Sequence, residues 1–173
     1  MTENTKNKLL ISNIVISILF LLPSFKLDLF NENYSTLTLN SKGYLYVLVL
    51  GILIGLILYY ETKTISGIKY AYIVLSAMII GVIIPHHIPY NLQGNMHLIC
   101  AYIGLVGIVS ITYINIYNSI RFRKLLSIYS FCLFCALLVF LKVNMVNSLS
   151  EIIVMLSTLF INNFLYKKRL LVK

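Results

Sequence analysis

The stretch "YLYVLVLGILIGLILYY", residues Tyr44–Tyr60, decides the fold. It holds no charged side chain, and its apolar residues fall on every side. A helix of about 20 predominantly apolar residues crosses a bilayer, and this run approaches that length. Comparable runs cover about 9–25, 69–85, 96–118, 125–142 and 148–166. Of 173 residues, 60% are hydrophobic and only 11% are charged. A soluble domain carries roughly 25% charged residues, so the chain lacks the polar side chains to coat a water-soluble surface. A membrane β-barrel needs alternating strands of about ten residues, and these runs are longer and unalternating. The reading is all-α: a polytopic integral membrane protein with six transmembrane helices in one bundle over residues 1–173. No soluble domain, long linker or low-complexity tail is evident.

The net charge of +9 would suggest nucleic acid in a soluble protein. Its placement points to membrane orientation instead. With a cytoplasmic N-terminus, the inner segments hold Lys6, Lys8, Lys63, Lys69, Arg121, Arg123, Lys124, Lys167, Lys168, Arg169 and Lys173. The outer segments hold only Lys26, Lys42 and Lys142. Basic residues gather on the cytoplasmic side of membrane proteins. The expectation is a multi-pass plasma-membrane protein with both termini cytoplasmic. Thirteen tyrosines and no tryptophan supply the interfacial rings, many near the ends of apolar runs. The first run follows Lys6 and Lys8 as a signal peptide would. No small-residue cleavage site follows it, so it reads as a retained helix. Asn33-Tyr34-Ser35 matches a glycosylation sequon, a pattern too short to carry weight.

Gly51 and Gly55 have the spacing that lets helix backbones approach closely, and Ala101, Gly104 and Gly107 offer small residues on span four. On span six, Ser148, Glu151, Met155, Thr158 and Asn162 recur at steps of three and four and form one stripe. Such a stripe faces the bundle interior, since lipid cannot satisfy it. It either ties helices together or lines a polar cleft. A small transporter would need that stripe to line a route reaching Asn162.

Five acids are present. Glu3, Asp28, Glu32 and Glu61 read as residues of tails, loops or interfaces, leaving Glu151 as the one acid within a span. His97 opens span four at matching depth. A structural His97–Glu151 pair would fix how two helices dock. A catalytic pair would use one of them as general base toward an ester or water. A metal reading adds His87 or His86, because imidazole and carboxylate suit zinc. His86 and His87 sit between Pro85 and Pro89 on the outer side, and an unperturbed imidazole changes charge between about pH 5 and 8. Asn91, Gln93, Gly94 and Asn95 complete a connection rich in hydrogen-bonding groups that would hold a lipid headgroup or sugar.

Cys132 and Cys135 form a CxxC inside span five. Their mid-membrane depth argues against thiol exchange with a soluble partner, and Cys100 reads as packing. All three histidines gather at one end, which argues against a haem bridging two spans. A glycine-rich phosphate loop, a serine nucleophile elbow and a string of intramembrane charges are all lacking.

Within "GVIIPHHIPYNLQGNMHLICAYIG", Gly81–Gly104, Gly81 and Pro85 close span three, His97 opens span four, and Ala101 follows. Together with Glu151 near the outer end of span six, this arrangement resembles a bacterial family of uncharacterised six-helix membrane proteins. That family is distantly similar to the eukaryotic DRAM-like proteins, which include a remodelling factor for lipid anchors. The resemblance covers spans three to six through these few residues. The family tends to follow its Glu with Arg, where this chain has Ile152. The resemblance implies a lipid-related role.

The expected function is therefore an outward-facing polar site that binds or processes a lipid or lipid-linked headgroup. His97 and Glu151 stand at its centre as catalytic candidates, with His86, His87, Asn95 and Ser148 as ligand-binding residues. Zinc held by His97, Glu151 and His87 is the cofactor to consider. The alternative is a non-enzymatic membrane protein, such as an immunity, sensor or assembly factor, that binds another membrane protein. Neither reading involves nucleic acid.

Overall fold

Helix begins within a few residues of where the apolar runs begin. The structure, a computed structural model, describes residues 3–84, 92–119, 122–143 and 146–171. Among them are six α-helices: α1 (Glu3–Leu21), α2 (Ser41–Ile65), α3 (Ile68–Ile83), α4 (Leu92–Tyr117), α5 (Phe122–Val143) and α6 (Ser148–Leu171). Short 3₁₀ turns occupy Leu22–Phe25 and Tyr34–Leu39. Five of the long helices are apolar enough to cross a membrane, over Asn7–Phe25, Ser41–Ile65, Asn95–Tyr117, Arg123–Val143 and Ser148–Lys168.

The sixth, α3, has 16 residues. At 1.5 Å per residue it spans about 24 Å, short of a hydrocarbon core about 30 Å thick. Its end has a local cause. Pro85 follows Ile84, and a residue before proline is pushed out of the helical region. Ile84 is accordingly extended, with φ −90° and ψ 113°. The other end of α3 meets α2 through Gly67, whose φ of 114° is a conformation that favours glycine.

Helices successive in the chain run in opposite directions. Asn13 of α1 meets Glu61 of α2, and Tyr46 of α2 donates to the Leu19 carbonyl of α1. A Cβ on Gly55 of α2 would lie 3.0 Å from Met78 Cβ of α3, and one on Gly107 of α4 would lie 2.8 Å from Ala77 Cβ of α3. These small residues let α3 pack closely against both neighbours.

The burial pattern is the reverse of a soluble bundle. Phe160 is 68% exposed, Phe131 66% and Val106 63%, while Asn115, Asn162 and Glu61 are fully buried. Apolar side chains that face outward all around a helical bundle suit a hydrocarbon solvent. Two apolar clusters fill the interior. One joins Ile16, Phe20, Tyr34, Leu50, Ile54, Leu58, Val74, Met78, Ile111 and Leu159. The other joins Ile65, Ile116, Leu125, Tyr129, Ile161, Leu165 and Tyr166.

Candidate functional site

Polar side chains gather at two levels of the bundle. The first is where α6 begins and the α1–α2 connection passes over it. Asn147 opens α6, and its Oδ1 accepts from Ser150 N at 3.0 Å, an N-terminal cap. Ser148 donates to the Glu32 carbonyl from its backbone N at 2.6 Å and from Oγ at 2.8 Å. Leu149 N donates to the Leu29 carbonyl at 3.1 Å. Glu151 Oε2 accepts from Tyr34 N at 2.7 Å. Tyr34 in turn stacks flat on Phe20, ring centres 4.5 Å apart, and its hydroxyl donates to the Phe20 carbonyl. The first turn of α6 thus clamps the connection, and Tyr34 pins it to α1. Burial first, and then the nearby Glu151 carboxylate, push the Tyr34 phenol above the usual tyrosine range, because both oppose a second negative charge.

The connection also holds itself. The exposed Asp28 accepts from Phe30 N, Asn31 N and Asn31 Nδ2. These donors, the Asn31 side chain foremost, hold its carboxyl below the usual aspartate range.

The second level lies toward the end of the bundle where α2, α4 and α6 finish. Asn115 Nδ2 donates to Thr62 Oγ1 at 3.1 Å and to Asn162 Oδ1 at 2.6 Å. Asn162 Nδ2 donates to Thr112 Oγ1 at 3.0 Å and to the Thr158 carbonyl at 2.9 Å. Ser66 Oγ donates to Asn115 Oδ1. Thr158 Oγ1 and the Tyr129 hydroxyl share a hydrogen bond of 2.9 Å. One network therefore joins α2, α4, α5 and α6. Beside it, Asn13 Nδ2 donates to Glu61 Oε1 at 2.9 Å. Glu61 Oε2 is buried with no hydrogen-bond partner among the described residues.

This placement corrects the sequence expectation for Glu61. The sequence reads it as a tail, loop or interface residue outside a span, but α2 continues to Ile65 and Glu61 is 0% exposed. The periodicity of α2 carried the signal. Leu50, Ile54, Ile57 and Leu58 are buried at steps of three and four, and Glu61 continues the same face. The paired Tyr59 and Tyr60 masked it by suggesting that the span ended there.

The expected site residues divide as follows. His97 is buried on α4, and its Nδ1 meets the Ile84 carbonyl at the end of α3. Glu151 faces the Tyr34 amide. The two thus hold different neighbours. Ser148 is buried beneath the connection, and Asn95 is exposed near the start of α4. His86 and His87 lie outside the described residues, so the proposed zinc set is described only for His97 and Glu151. Among the described residues, no group of three His, Cys, Asp or Glu side chains is placed to hold a metal ion. Cys100, Cys132 and Cys135 are free thiols, each partly buried.

The stripe on α6 is divided by level. Ser148 and Glu151 clamp the connection, whereas Thr158 and Asn162 belong to the buried network. Sequence reading missed an open groove between α1 and α2. It has a volume of about 370 Å³ and is lined by Leu19, Leu45, Tyr46, Val49, Leu50 and Leu53, with Lys42 at one end. No family model, curated protein or solved structure matches the chain.

Proposed function

We propose that this is a six-span plasma-membrane protein, with both termini cytoplasmic, that binds an anionic membrane lipid on its outward half. The groove between α1 and α2 carries this reading. Lys42 stands in the first turn of α2 and Leu53 lies at the far end of the lining. Eleven residues of helix separate them, about 16 Å, or roughly half of a hydrocarbon core. That length is comparable to the depth of one leaflet, which supports a groove that takes a single acyl chain. Its lining is aliphatic apart from Tyr46, whose hydroxyl is committed to Leu19. An acyl chain suits that surface, while the exposed Lys42 ammonium and the positive end of the α2 dipole suit a phosphate at the headgroup level.

The reading is binding rather than processing, because the groove at α1–α2 carries it and His97 and Glu151 lie on other elements, α4 and α6. It keeps the lipid-related role that the family resemblance implies and moves the contact from the α4–α6 side to α1–α2. The positive-inside distribution supports the orientation. Alkylation of single cysteines placed at Lys42 and Lys168, in a variant lacking the native cysteines, tests it. An impermeant reagent added to intact cells should label only position 42, and labelling of position 168 would reverse the topology.

The functional test is mass spectrometry of lipid co-purified in mild detergent. Wild type should retain an anionic glycerophospholipid above its share of the source membrane. Lys42→Gln should lose most of that enrichment without a change in melting temperature. Equal lipid profiles in the two proteins would remove the lipid-binding reading and leave the partner-binding alternative.

A further inference from the structure

Glu61 is the group for which neither the packing nor the proposed lipid groove accounts. It is fully buried in a helix that crosses the membrane, and one of its oxygens lacks any hydrogen-bond partner among the described residues. The charged and titratable groups on the packed elements are distributed as follows. On α1, Lys8 is exposed more than a turn from Asn13. On α2, Lys63 is exposed. On α3, Lys69 lies over the Tyr70 ring at 4.9 Å. On α6, Lys167 is exposed, Lys168 lies over the Phe164 ring at 5.1 Å, and the buried Tyr166 hydroxyl is within electrostatic reach of Glu61. The described length of α4 carries no charged residue. Among the described residues, none forms an ion pair with Glu61.

A bare carboxylate in such surroundings has exchanged water for a single amide hydrogen bond, and that exchange is strongly unfavourable. Something must supply one positive charge. A metal cation would need several oxygen ligands. The nearest side chain offers the opposite: Asn13 presents its Nδ2 donor to Glu61, not its carbonyl oxygen. A proton needs only one lone pair of Oε2.

The end of α2 is close, since its last residue, Ile65, lies four residues beyond Glu61, about 6 Å along the axis. The groove of about 340 Å³ that Asn13 borders between α1 and α6 is mostly apolar, lined by Ile14, Ile18, Leu21, Leu156 and Phe160, which suits hydrocarbon and not water.

We infer that Glu61 is a buried proton-binding site whose neutral form holds α1 against α2 through Asn13, and whose proton exchanges toward the nearby end of α2. In the exchange the O–H bond of the carboxyl breaks, its electron pair stays on Oε2, and the proton passes to water at that end of the bundle. The ionised form then draws water toward Asn13 and loosens α1. The site is independent of lipid binding at Lys42.

Infrared difference spectroscopy on the full-length protein in lipid nanodiscs tests this. Wild type at pH 7 should show a protonated-carboxyl C=O band that shifts in heavy water and is missing from Glu61→Gln. Glu151 is unchanged in that comparison, so it cancels. Asn13→Ala should move the same band by removing the donor to Oε1, which gives a second readout if Glu61→Gln folds poorly. As pH rises, the wild-type melting temperature should fall, while that of Glu61→Gln stays level. Spectra of wild type and Glu61→Gln that match in the carboxyl region at every pH would overturn the inference. So would a melting temperature set by sodium or potassium concentration and not by pH, since a metal ion would then be the occupant.

Discussion

Glu151 shows how a single acid near a membrane surface is accommodated. Its Oε2 accepts the Tyr34 backbone N–H at 2.7 Å, so the carboxyl oxygen has a protein partner where lipid offers none. Glu151→Gln keeps the shape and an acceptor, so it should cost about 1 kcal/mol. Glu151→Ala orphans the Tyr34 amide and should cost about 1–3 kcal/mol. Denaturant melts of both variants in detergent provide the comparison, and equal values would show that the amide is satisfied by water. Asp28 adds a pH dependence of known sign. Its carboxyl lies below its unfolded value, so its contribution is complete above the unfolded range and is lost as pH falls through the folded value. Its carboxyl NMR titration should show a midpoint below that of an aspartate in an unstructured peptide, and Asn31→Ala should raise it toward normal.

At the scale of elements, the close approach of α3 to its neighbours depends on atoms that are absent. A methyl on Gly107 would meet Ala77 Cβ at 2.8 Å, inside the range of ordinary contacts. Gly107→Ala should therefore destabilise the α3–α4 pair by about 1–3 kcal/mol. Adding Ala77→Gly should restore part of that loss, because the two positions share one contact. Additive losses in the double mutant would show that the strain arises elsewhere. The small residues of these helices were readable from composition and spacing. Their partners were not, because a glycine's neighbours across an interface leave no mark on its own helix. The end of α3 was readable in the same way as the small residues, since Pro85 closes span three in the sequence and the helix stops at Ile83, two residues before it.

For the molecule as a whole, the central question is what joins four helices in a solvent that gives apolar surfaces little reason to associate. Asn115 and Asn162 answer it by using both donors and the acceptor of each amide across α2, α4 and α6. Intramembrane hydrogen bonds average about 0.6 kcal/mol, with the strongest near 1.7. Asn162→Ala removes three of them together and should cost about 1–2 kcal/mol in reversible unfolding from micelles. A change near zero would assign cohesion to apolar packing alone. By itself the sequence determined that the chain is helical, apolar and membrane-embedded, and that α6 carries one polar face. Those properties follow from composition and from periodicity along a single helix. Only the tertiary structure decided that this face serves two purposes, that His97 and Glu151 hold different neighbours, and that Glu61 is buried beside Asn13. A side chain's environment is set by which helices meet at its depth, and residues as far apart in sequence as Asn13 and Glu61 meet only when the bundle closes.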